Sequence, residues 1–341
     1  KRLLPGKQYN NMRVLASIHL YPPIHNCGSE WMLHNIFKYL ISKGHHCRVI
    51  LQQSEMHKVN CPYEYEGVEV FSATGSLDAY RWADVIITHL DFTQYSIIMA
   101  YSVGKPLVHL IHNDIEYNCI TKARGRHYIA YNSKWIADTL KYPFPFMVMH
   151  PPCDAAYYNV NENPEQNENI TLISLNANKG ADMFYGIAEA MPQKKFIGVV
   201  GSYDNQIVRT LPNIEIVANT PDILSIYRRT RLLLMPSGYE SFGRTATEAM
   251  CSGIPVICTP TPGLKENCGD AAIYIGQRLN DTDPGTQQCH RGSIHSWVEA
   301  IKSLDNLETY NNYSQLCRER AALLNPDNDL AAFESFIYSA L

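Results

Sequence analysis

Short apolar runs alternate with helical stretches along most of this 341-residue chain, and that alternation limits the possible folds more than any other feature. The apolar run at 13–18 is followed by a polar loop, by a helical pattern over 29–42 and by a second apolar run at 47–51. A strand, a crossover helix and a second strand form a parallel β-α-β unit. The sequence therefore predicts an α/β protein with a doubly wound parallel sheet.

Two such series follow one another, which predicts two domains. The first series continues with strands at 83–88, 106–112 and 128–132, and the second has strands at 170–175, 195–200, 214–217, 231–235 and 255–258. An Asn- and Glu-rich stretch without periodicity, 159–169, separates them and is typical of a linker. We expect a first domain over 12–155, a second over 156–326 and a last helix over 327–341.

Composition excludes several functional classes. The net charge of −4 provides no basic field, which argues against a nucleic-acid partner. No apolar run approaches the roughly 18–20 residues that a membrane-spanning helix needs. The polar, basic stretch 1–11 does not resemble a secretory signal, and we interpret it as a remnant or as the tail of a longer polypeptide.

The ten cysteines are scattered, and none forms a C-x-x-C pair. This usage is typical of reduced thiols in a cytoplasmic protein. Peripheral contact with a membrane and the oligomeric state are left open at this point.

The richest chemical segment runs from Met235 to Ile257. A buried strand is predicted to end at Met235, and a helix is predicted to begin near Arg244. Glu240 then lies in the loop at the carboxyl end of the strand, and Glu248 lies inside the helix. Ligands bind at the carboxyl ends of strands in such sheets, so this loop is a candidate binding site.

The residue types in this loop suggest a phosphate bound beside hydroxyl groups. Backbone N–H groups near Phe242 and Gly243 are unpartnered at a helix N-terminus, where a phosphate binds readily. Two carboxylates next to a phosphate are explained if they accept hydrogen bonds from a sugar and a ribose. The alternative is a solvent-exposed loop glutamate and a helical glutamate in a surface ion pair.

The segment resembles the E-x7-E signature of retaining glycosyltransferases with the GT-B fold, family four. The match runs through Pro236-Ser237, Glu240, Phe242-Gly243, Glu248-Ala249-Met250, Gly253 and Pro255, and continues into Gly263 and Glu266. The resemblance covers roughly residues 12–330 and is looser in the N-terminal half. It implies two Rossmann-like domains facing a cleft that holds the active site, with a last helix that crosses back onto the first domain.

The resemblance also implies a lysine that binds the donor diphosphate. Lys179-Gly180 occupies the matching position, after the first strand of the second domain and just before a helix. A lysine there provides a point charge for a diphosphate. The arginine that the family usually carries a few residues earlier is missing, and Arg244 is a candidate substitute.

In the first domain the resemblance is carried by a loop and a histidine. The loop over 25–30 resembles the family's glycine loop, with the usual pair reduced to Gly28. His112 matches a histidine at the lip of the sheet, near the transferred sugar. His89 is a second candidate, whereas His109 points to the opposite face of its strand. We interpret Ser133 as a helix N-cap.

No metal cluster is predicted. The pairs His45-His46 and Cys289-His290 lack partners at ligand spacing. The triplets at 281–283 and 327–329 follow no predicted strand, and we interpret them as loop or helix-start residues. We therefore expect no cofactor, and a diphosphate held without a metal ion.

These assignments together predict a hexosyltransferase. A hexose-type sugar would move from a nucleoside diphosphate sugar, with UDP or GDP favoured, to a hydroxyl of a glycan or lipid-linked acceptor, with retention. As the resemblance implies, Glu248 binds the ribose, and Glu240 faces the sugar and supports charge at the anomeric carbon. Lys179 and Phe242-Gly243, with Ser241 and Arg244 beside them, hold the diphosphate. His112 contacts the sugar.

Other functions remain open on the sequence alone. An epimerase or phosphorylase could use the same fold, and a non-catalytic nucleotide-sugar or glycan-binding protein would explain the missing arginine. A nicotinamide dehydrogenase is disfavoured because Gly198-Val-Val-Gly201 lacks the G-x-G-x-x-G spacing. Base contacts near 216–219 would be made by the backbone. The basic, aromatic stretch 122–135 has two interpretations. It either contacts an anionic or membrane-bound acceptor or forms a solvated face, and we favour the solvated face.

Overall fold

The computed structural model describes residues 11–73, 76–115, 125–278 and 289–341. Several features singled out in the sequence lie outside these ranges. They are the N-terminal residues 1–10, the aspartate triplet at 281–283, Cys119, and residues 122–124 of the basic stretch.

The N-terminal domain is built on an eight-stranded sheet in the order β3-β4-β2-β1-β5-β6-β7-β8. All neighbours are parallel except the β3–β4 pair. The strands are β1 (Arg13–Ile18), β2 (His46–Leu51), β3 (Tyr63–Tyr65), β4 (Val68–Ser72), β5 (Val85–His89), β6 (Leu107–Ile111), β7 (His127–Tyr131) and β8 (Phe146–Val148).

Among the described residues, the helices between these strands are α1 (Gly28–Ser42), α2 (Ser76–Trp82), α3 (Thr93–Ser102) and α4 (Lys134–Leu140). The apolar residues of α1 at helical spacing, among them Ile36, Phe37 and Leu40, are fully buried against the sheet. The predicted amphipathic helix at 29–42 is therefore confirmed, and its burial accounts for its stability.

The C-terminal domain contains a six-stranded, fully parallel sheet in the order β11-β10-β9-β12-β13-β14. Its strands are β9 (Asn169–Ile173), β10 (Lys195–Val199), β11 (Ile214–Val217), β12 (Thr230–Met235), β13 (Val256–Cys258) and β14 (Ala272–Tyr274), with a separate antiparallel pair of β15 (Gln277–Arg278) and β16 (Cys289–His290).

The remaining helices are α5 (Ala155–Tyr158), α6 (Ala181–Ala190), α7 (Ile223–Tyr227), α8 (Arg244–Cys251), α9 (Pro262–Cys268), α10 (Ile294–Ser303), α11 (Leu307–Leu323) and α12 (Asp327–Ser339). A helix does begin directly after Lys179-Gly180 (α6) and another at Arg244 (α8), as predicted, and the triplet at 327–329 begins α12.

Strand order reverses once in each sheet, between β1 and β5 and between β9 and β12. At such a switch point the loops that follow two neighbouring strands lead to opposite faces of the sheet and leave a crevice between them. The loops after β1, β9 and β12 and the residues that follow β6 line one cavity between the domains. The order of the strands therefore brings these distant segments of the sequence together at the cavity.

The last helix packs on the first domain. Leu330, Phe333 and Ile337 of α12 are buried in the core that α1, β1 and β2 form. Glu334 joins the same interface, with His45 Nε2 at 3.0 Å and a hydrogen bond of 3.1 Å from the Tyr39 hydroxyl.

The structure corrects the interpretation of the basic, aromatic stretch 122–135. Residues 127–131 of the basic, aromatic stretch form β7, which lies between β6 and β8, and are mostly buried, so a solvated face is wrong for that part. Among the described residues, no helix is both long and apolar enough to cross a membrane. The nine described cysteines are all free.

Replacing Phe333 by alanine should destabilise the protein, because the ring is fully buried at the α12 interface. The expected loss is about 3–5 kcal/mol in the free energy of unfolding, measured by chemical denaturation. Leu323→Ala is the control, since Leu323 is 77% exposed and should lose little. Equal losses in the two variants would contradict the packing of α12 described here.

Candidate active site

A cavity of about 740 Å³ lies between the two domains. It is lined by Gly28, His112, Lys179, Glu240, Ser241, Phe242, Gly243, Arg244 and Glu248, all of which the sequence placed in the site. His89, the second candidate histidine, is not among the lining residues. These residues come from distant parts of the chain, so the fold brings them together. Their individual roles stay predictions.

Lys179 follows β9 and reaches into the cavity. Its Nζ lies 2.6 Å from Glu240 Oε1. Burial opposes the charged ammonium, yet Glu240 and Tyr203 raise the pKa of Lys179. Gly180 has a φ of +81°, and a Cβ there would collide with the carbonyl oxygen of Pro236. The glycine therefore lets the loops after β9 and β12 touch, which places the lysine beside the glutamate.

Glu240 is only 6% exposed and is held from its own loop as well. The Ser237 hydroxyl donates a hydrogen bond of 2.8 Å to Oε1, the same oxygen that faces Lys179. A buried carboxylate with an ammonium and a hydroxyl as partners is satisfied on that oxygen. The other oxygen leaves acceptor capacity for a hydroxyl in the cavity.

Residues on either side of Glu240 contact the N-terminal domain. The Tyr239 hydroxyl donates to Asp114 Oδ1 at 2.8 Å, and Asn132 Nδ2 donates to the Ser241 hydroxyl at 2.9 Å. Trp135 Nε1 donates to the backbone oxygen of Ser241 at 2.6 Å. The loop that carries Glu240 is thus clamped between the domains.

Glu248 and Arg244 stand one turn apart on α8 and form an ion pair at 3.2 Å. The Tyr227 hydroxyl donates to Glu248 Oε2 at 2.7 Å, and Arg244 donates to the Tyr158 hydroxyl at 2.9 Å. Burial opposes the charge on Arg244, but Tyr158 and Glu248 raise its pKa. The guanidinium is therefore engaged with Glu248 rather than extended freely toward a diphosphate.

Phe242 and Gly243 contribute backbone rather than side chain. The Phe242 ring is buried and stacks on His150, with centroids 4.8 Å apart. Gly243 precedes α8 with a φ of +85°, and a Cβ there would lie 2.6 Å from Leu264. The first N–H groups of α8 have no acceptor inside the helix, and Gly243, Arg244 and Thr245 line the cavity.

The strand pattern predicts that His109 and His112 lie on opposite faces of the sheet, and the structure confirms this. His112 lines the cavity, and its Nε2 lies 3.0 Å from His89 Nδ1. Burial lowers the pKa of His112 to about 4, so the ring is neutral. His109 lies on the other face of the sheet, with its Nε2 3.2 Å from the Thr93 hydroxyl. His89 is fully buried behind His112.

The loop that resembles a glycine loop meets the opposite domain. Asn26 Nδ2 donates to the carbonyl oxygen of Thr220 at 2.9 Å, and Cys27 Sγ lies 2.9 Å from the Ser202 hydroxyl. A Cβ at Gly28 would have no atom within 4 Å among the described residues. The fold by itself therefore does not require glycine at this position.

Arg291 was missed by the sequence reasoning, although it holds both loops that carry the cavity charges. Its guanidinium donates to the backbone oxygens of Pro236 at 2.5 Å and Ala177 at 2.8 Å. It lies far along the chain and belongs to no motif, so only the tertiary structure shows its role.

A second unpredicted group surrounds Glu30 in the first turn of α1. His19 and His25 approach its carboxylate, and the three side chains lie close enough together to share an ion. Their spacing, H-x5-H-x4-E, resembles no metal motif in sequence. This group of side chains does not test the prediction that the diphosphate is bound without a metal ion.

Ser133 occupies the N-cap position of α4, but the prediction that its side chain caps the helix is wrong. Its hydroxyl donates to Asn132 instead. Glu266 of the other domain caps α4, accepting from the backbone N–H groups of Lys134 at 2.6 Å and Trp135 at 2.9 Å. The match at Glu266 therefore marks a contact between domains. Gly263 instead lets α9 pack on the Glu240 loop, because a Cβ there would lie 2.3 Å from the Glu240 carbonyl oxygen.

A comparison with known protein families matches one segment of this chain. Residues 205–282 match a family described as "Glycosyl transferases group 1". The matched segment holds the loop after β12 and all of α8, so it includes Glu240 and Glu248.

The structure is similar over nearly its whole length to known GT-B proteins. The Anabaena protein HepE, solved with UDP and glucose, superposes with a TM-score of 0.70 at 16% identity, covering 97% of this chain and 100% of HepE. Sucrose-phosphate synthase from Thermosynechococcus elongatus gives a TM-score of 0.71 at 13% identity, covering 96% and 98%. The fold is GT-B, as predicted, and it contains a glycosyl transferases group 1 segment.

Sequence relatives match shorter stretches. A 41.2 kDa protein of the cps region of Klebsiella pneumoniae is 24% identical over 147 residues, which is 41% of each chain. O-antigen chain mannosyltransferase B of Escherichia coli is 39% identical over 62 residues, or 18% of this chain and 16% of the relative. The alignments thus span less than half of the curated relatives.

His150 joins the domains next to this site and should make stability depend on pH. Its Nε2 lies 2.8 Å from Glu266 and its Nδ1 lies 3.5 Å from Asp329. Burial opposes the imidazolium, but the two carboxylates raise the pKa of His150 to about 9. This contribution to stability is complete below the unfolded pKa of about 6.5 and is lost as pH rises through about 9.

Thermal melting from pH 6 to 10 tests this expectation. Wild type should lose about 1 kcal/mol more than His150→Gln over that range, since the ring is one-third exposed and solvent weakens the pair. Glutamine keeps a donor for Glu266 but carries no charge. Parallel curves for the two proteins would mean that His150 is not charged in the folded state.

Proposed function

We propose that this chain is a retaining glycosyltransferase of family four that transfers a hexose-type sugar from a nucleoside diphosphate sugar to a hydroxyl acceptor. One observation carries the proposal. Lys179, Glu240, Arg244 and Glu248 all face a single interdomain cavity, at the switch point of a parallel sheet. Cations and hydroxyl-binding carboxylates side by side suit a ligand that is both anionic and rich in hydroxyls.

The diphosphate would bind between Lys179 and the N-terminus of α8. Lys179 offers an ammonium whose only acidic partner among the described residues is Glu240. The N–H groups at Gly243 and Arg244 add donors and the positive end of the helix dipole. This arrangement would stabilise the charge on the leaving group without a metal ion on the phosphates.

Glu248 would hold the ribose. Its carboxylate is fixed by Tyr227 and Arg244, and two oxygens carry about four acceptor sites, so capacity remains for the two ribose hydroxyls. The neighbouring cavity wall contains Gly201, Asn219 and Thr220, where backbone groups can recognise the base. Solved neighbours of this fold bind UDP, which supports UDP as the first donor to examine.

Glu240 and His112 would meet the sugar. When a phosphate draws Lys179 away, the Glu240 carboxylate gains acceptor capacity for sugar hydroxyls and a negative charge near the anomeric carbon. The mechanism that we favour is a same-face substitution, in which the leaving phosphate takes the acceptor proton. A covalent intermediate on Glu240 is the alternative. His112, as a neutral ring, can donate one hydrogen bond to the sugar.

The acceptor side is the N-terminal domain. The O-antigen mannosyltransferase among the relatives acts on an O-antigen chain by its name, which supports a glycan or lipid-linked acceptor here as well. Peripheral membrane contact belongs to this proposal, as does a cytoplasmic location.

Donor binding tests the site directly. Purified protein is melted with UDP-, GDP-, ADP- and TDP-sugars in EDTA, and affinity is measured for the donor that shifts the melting temperature. Lys179→Ala and Glu248→Gln should weaken that donor by roughly 30-fold or more, since each removes a buried charged contact. Lys195→Ala, on an exposed lysine at the far end of β10, should bind as wild type does. Unchanged affinity in the first two variants would refute the assignment.

Turnover tests the chemistry. Glu240→Gln should keep most donor affinity but lose roughly 100-fold or more in nucleotide release, because the amide cannot support positive charge at the anomeric carbon. Glu299→Gln, on the exposed face of α10, is the matched control. Proton NMR of the product should show the anomeric configuration of the donor. Tight binding without any turnover, including hydrolysis, would instead favour a binding protein.

A further inference from the structure

We propose that His19, His25 and Glu30 form a binding site for a divalent first-row transition metal on the N-terminal side of the cleft. None of these residues was assigned to the donor site above. The inference does not depend on the glycosyltransferase proposal, because it rests on a different group of side chains and has its own readout.

The three residues lie on a short segment that closes on itself. β1 ends at Ile18, so His19 is the first residue past the strand, and His25 lies further along the loop. Glu30 sits in the first turn of α1, where the helix begins at Gly28. The loop therefore returns to the carboxyl end of β1, and both histidines approach the Glu30 carboxylate.

The distances suit a common ion. His19 Nε2 lies 3.1 Å from Glu30 Oε1, and His25 Nδ1 lies 3.6 Å from the same oxygen. All three donor atoms lie within 4.8 Å of one another. Ligands that bind one zinc ion tetrahedrally at 2.0–2.1 Å are about 3.3 Å apart. A single ion can thus be reached with shifts below roughly 1 Å.

Glu30 is fully buried, and its Oε1 accepts no hydrogen bond from the described residues. The other oxygen receives the Ser29 hydroxyl at 2.7 Å. The two imidazole nitrogens approach Oε1 closely, yet neither meets the geometry of a hydrogen bond to it. A buried carboxylate oxygen that accepts no hydrogen bond is costly, and the ion pairs with the neighbouring histidines offset only part of that cost. A cation among the three atoms would remove that cost.

The chemistry of the donors selects the class of ion. Two neutral imidazoles and one carboxylate suit Zn²⁺, Fe²⁺, Co²⁺ or Ni²⁺, whereas Mg²⁺ and Ca²⁺ prefer oxygen ligands. His89 Nε2 lies 3.9 Å from Glu30 Oε1 and borders the site. The three proposed ligands also line the cavity, so a remaining coordination position would face solvent or a ligand there.

A metal here would fix the loop that meets the other domain. Asn26 and Cys27 follow His25 directly, and they contact Thr220 and Ser202. An ion joining His25 to Glu30 would anchor this contact on α1. The proposal places no ion on the diphosphate, so donor binding in EDTA and metal binding at this loop are separate properties.

Metal analysis tests the site. Protein stripped with a chelator is titrated with Zn²⁺ by calorimetry and with Co²⁺ by visible absorption. We expect about one equivalent of each, cobalt d–d bands of a site with mixed nitrogen and oxygen ligands, and a higher melting temperature with saturating Zn²⁺. Glu30→Gln and His25→Asn should each weaken Zn²⁺ binding by roughly 100-fold, and His57→Ala, on an exposed histidine, should not change it.

Several results would overturn the proposal. If Zn²⁺ neither binds stoichiometrically nor shifts the melting temperature, then protons rather than a metal ion compensate the negative charge of Glu30. Equal binding by His25→Asn and His57→Ala would mean adventitious metal. Glu30→Gln alters a buried group and could fail to fold, in which case His25→Asn decides, because His25 is partly exposed. Lost donor binding in Lys179→Ala with intact Zn²⁺ binding would leave this inference unaffected.

Discussion

Charged side chains buried in the cleft have to be paired, and two ion pairs meet that requirement, Lys179 with Glu240 and Arg244 with Glu248. Each pair is neutral as a unit, so the cleft wall has little excess positive charge for an anion. A diphosphate would therefore have to draw Lys179 away from Glu240 and use the N–H groups of α8. That exchange would free Glu240 at the moment a sugar arrives, which couples donor binding to the chemistry.

The rest of the structure keeps these pairs in place. Parallel strands bring Lys179 and Glu240 together although they are 61 residues apart in sequence. Arg291 ties the backbone of both loops, and Tyr239 and Ser241 join the Glu240 loop to the first domain. One loop therefore both joins the two domains and positions the Glu240 carboxylate.

Much of this could be predicted, since strand and helix periodicity is local and the spacing of Glu240 and Glu248 lies within one loop and one helix. Other features depend on distant contacts. Glu266 caps α4 from the opposite domain, so the sequence around Ser133 suggested a local cap that does not form. The group around Glu30 was missed because its residues meet only when a loop folds back. α3 was missed because its apolar residues are not confined to one face.

The most direct test of the central claim is a crystal structure with the nucleoside diphosphate sugar that binds most tightly. Ribose hydroxyls should lie within hydrogen-bond distance of Glu248, and phosphate oxygens should contact Lys179 and the first N–H groups of α8. Lys179 should have moved from Glu240 toward the phosphates, leaving the carboxylate facing the sugar. A nucleotide bound elsewhere, or bound with the Lys179–Glu240 pair intact and no phosphate contact to Lys179, would contradict it.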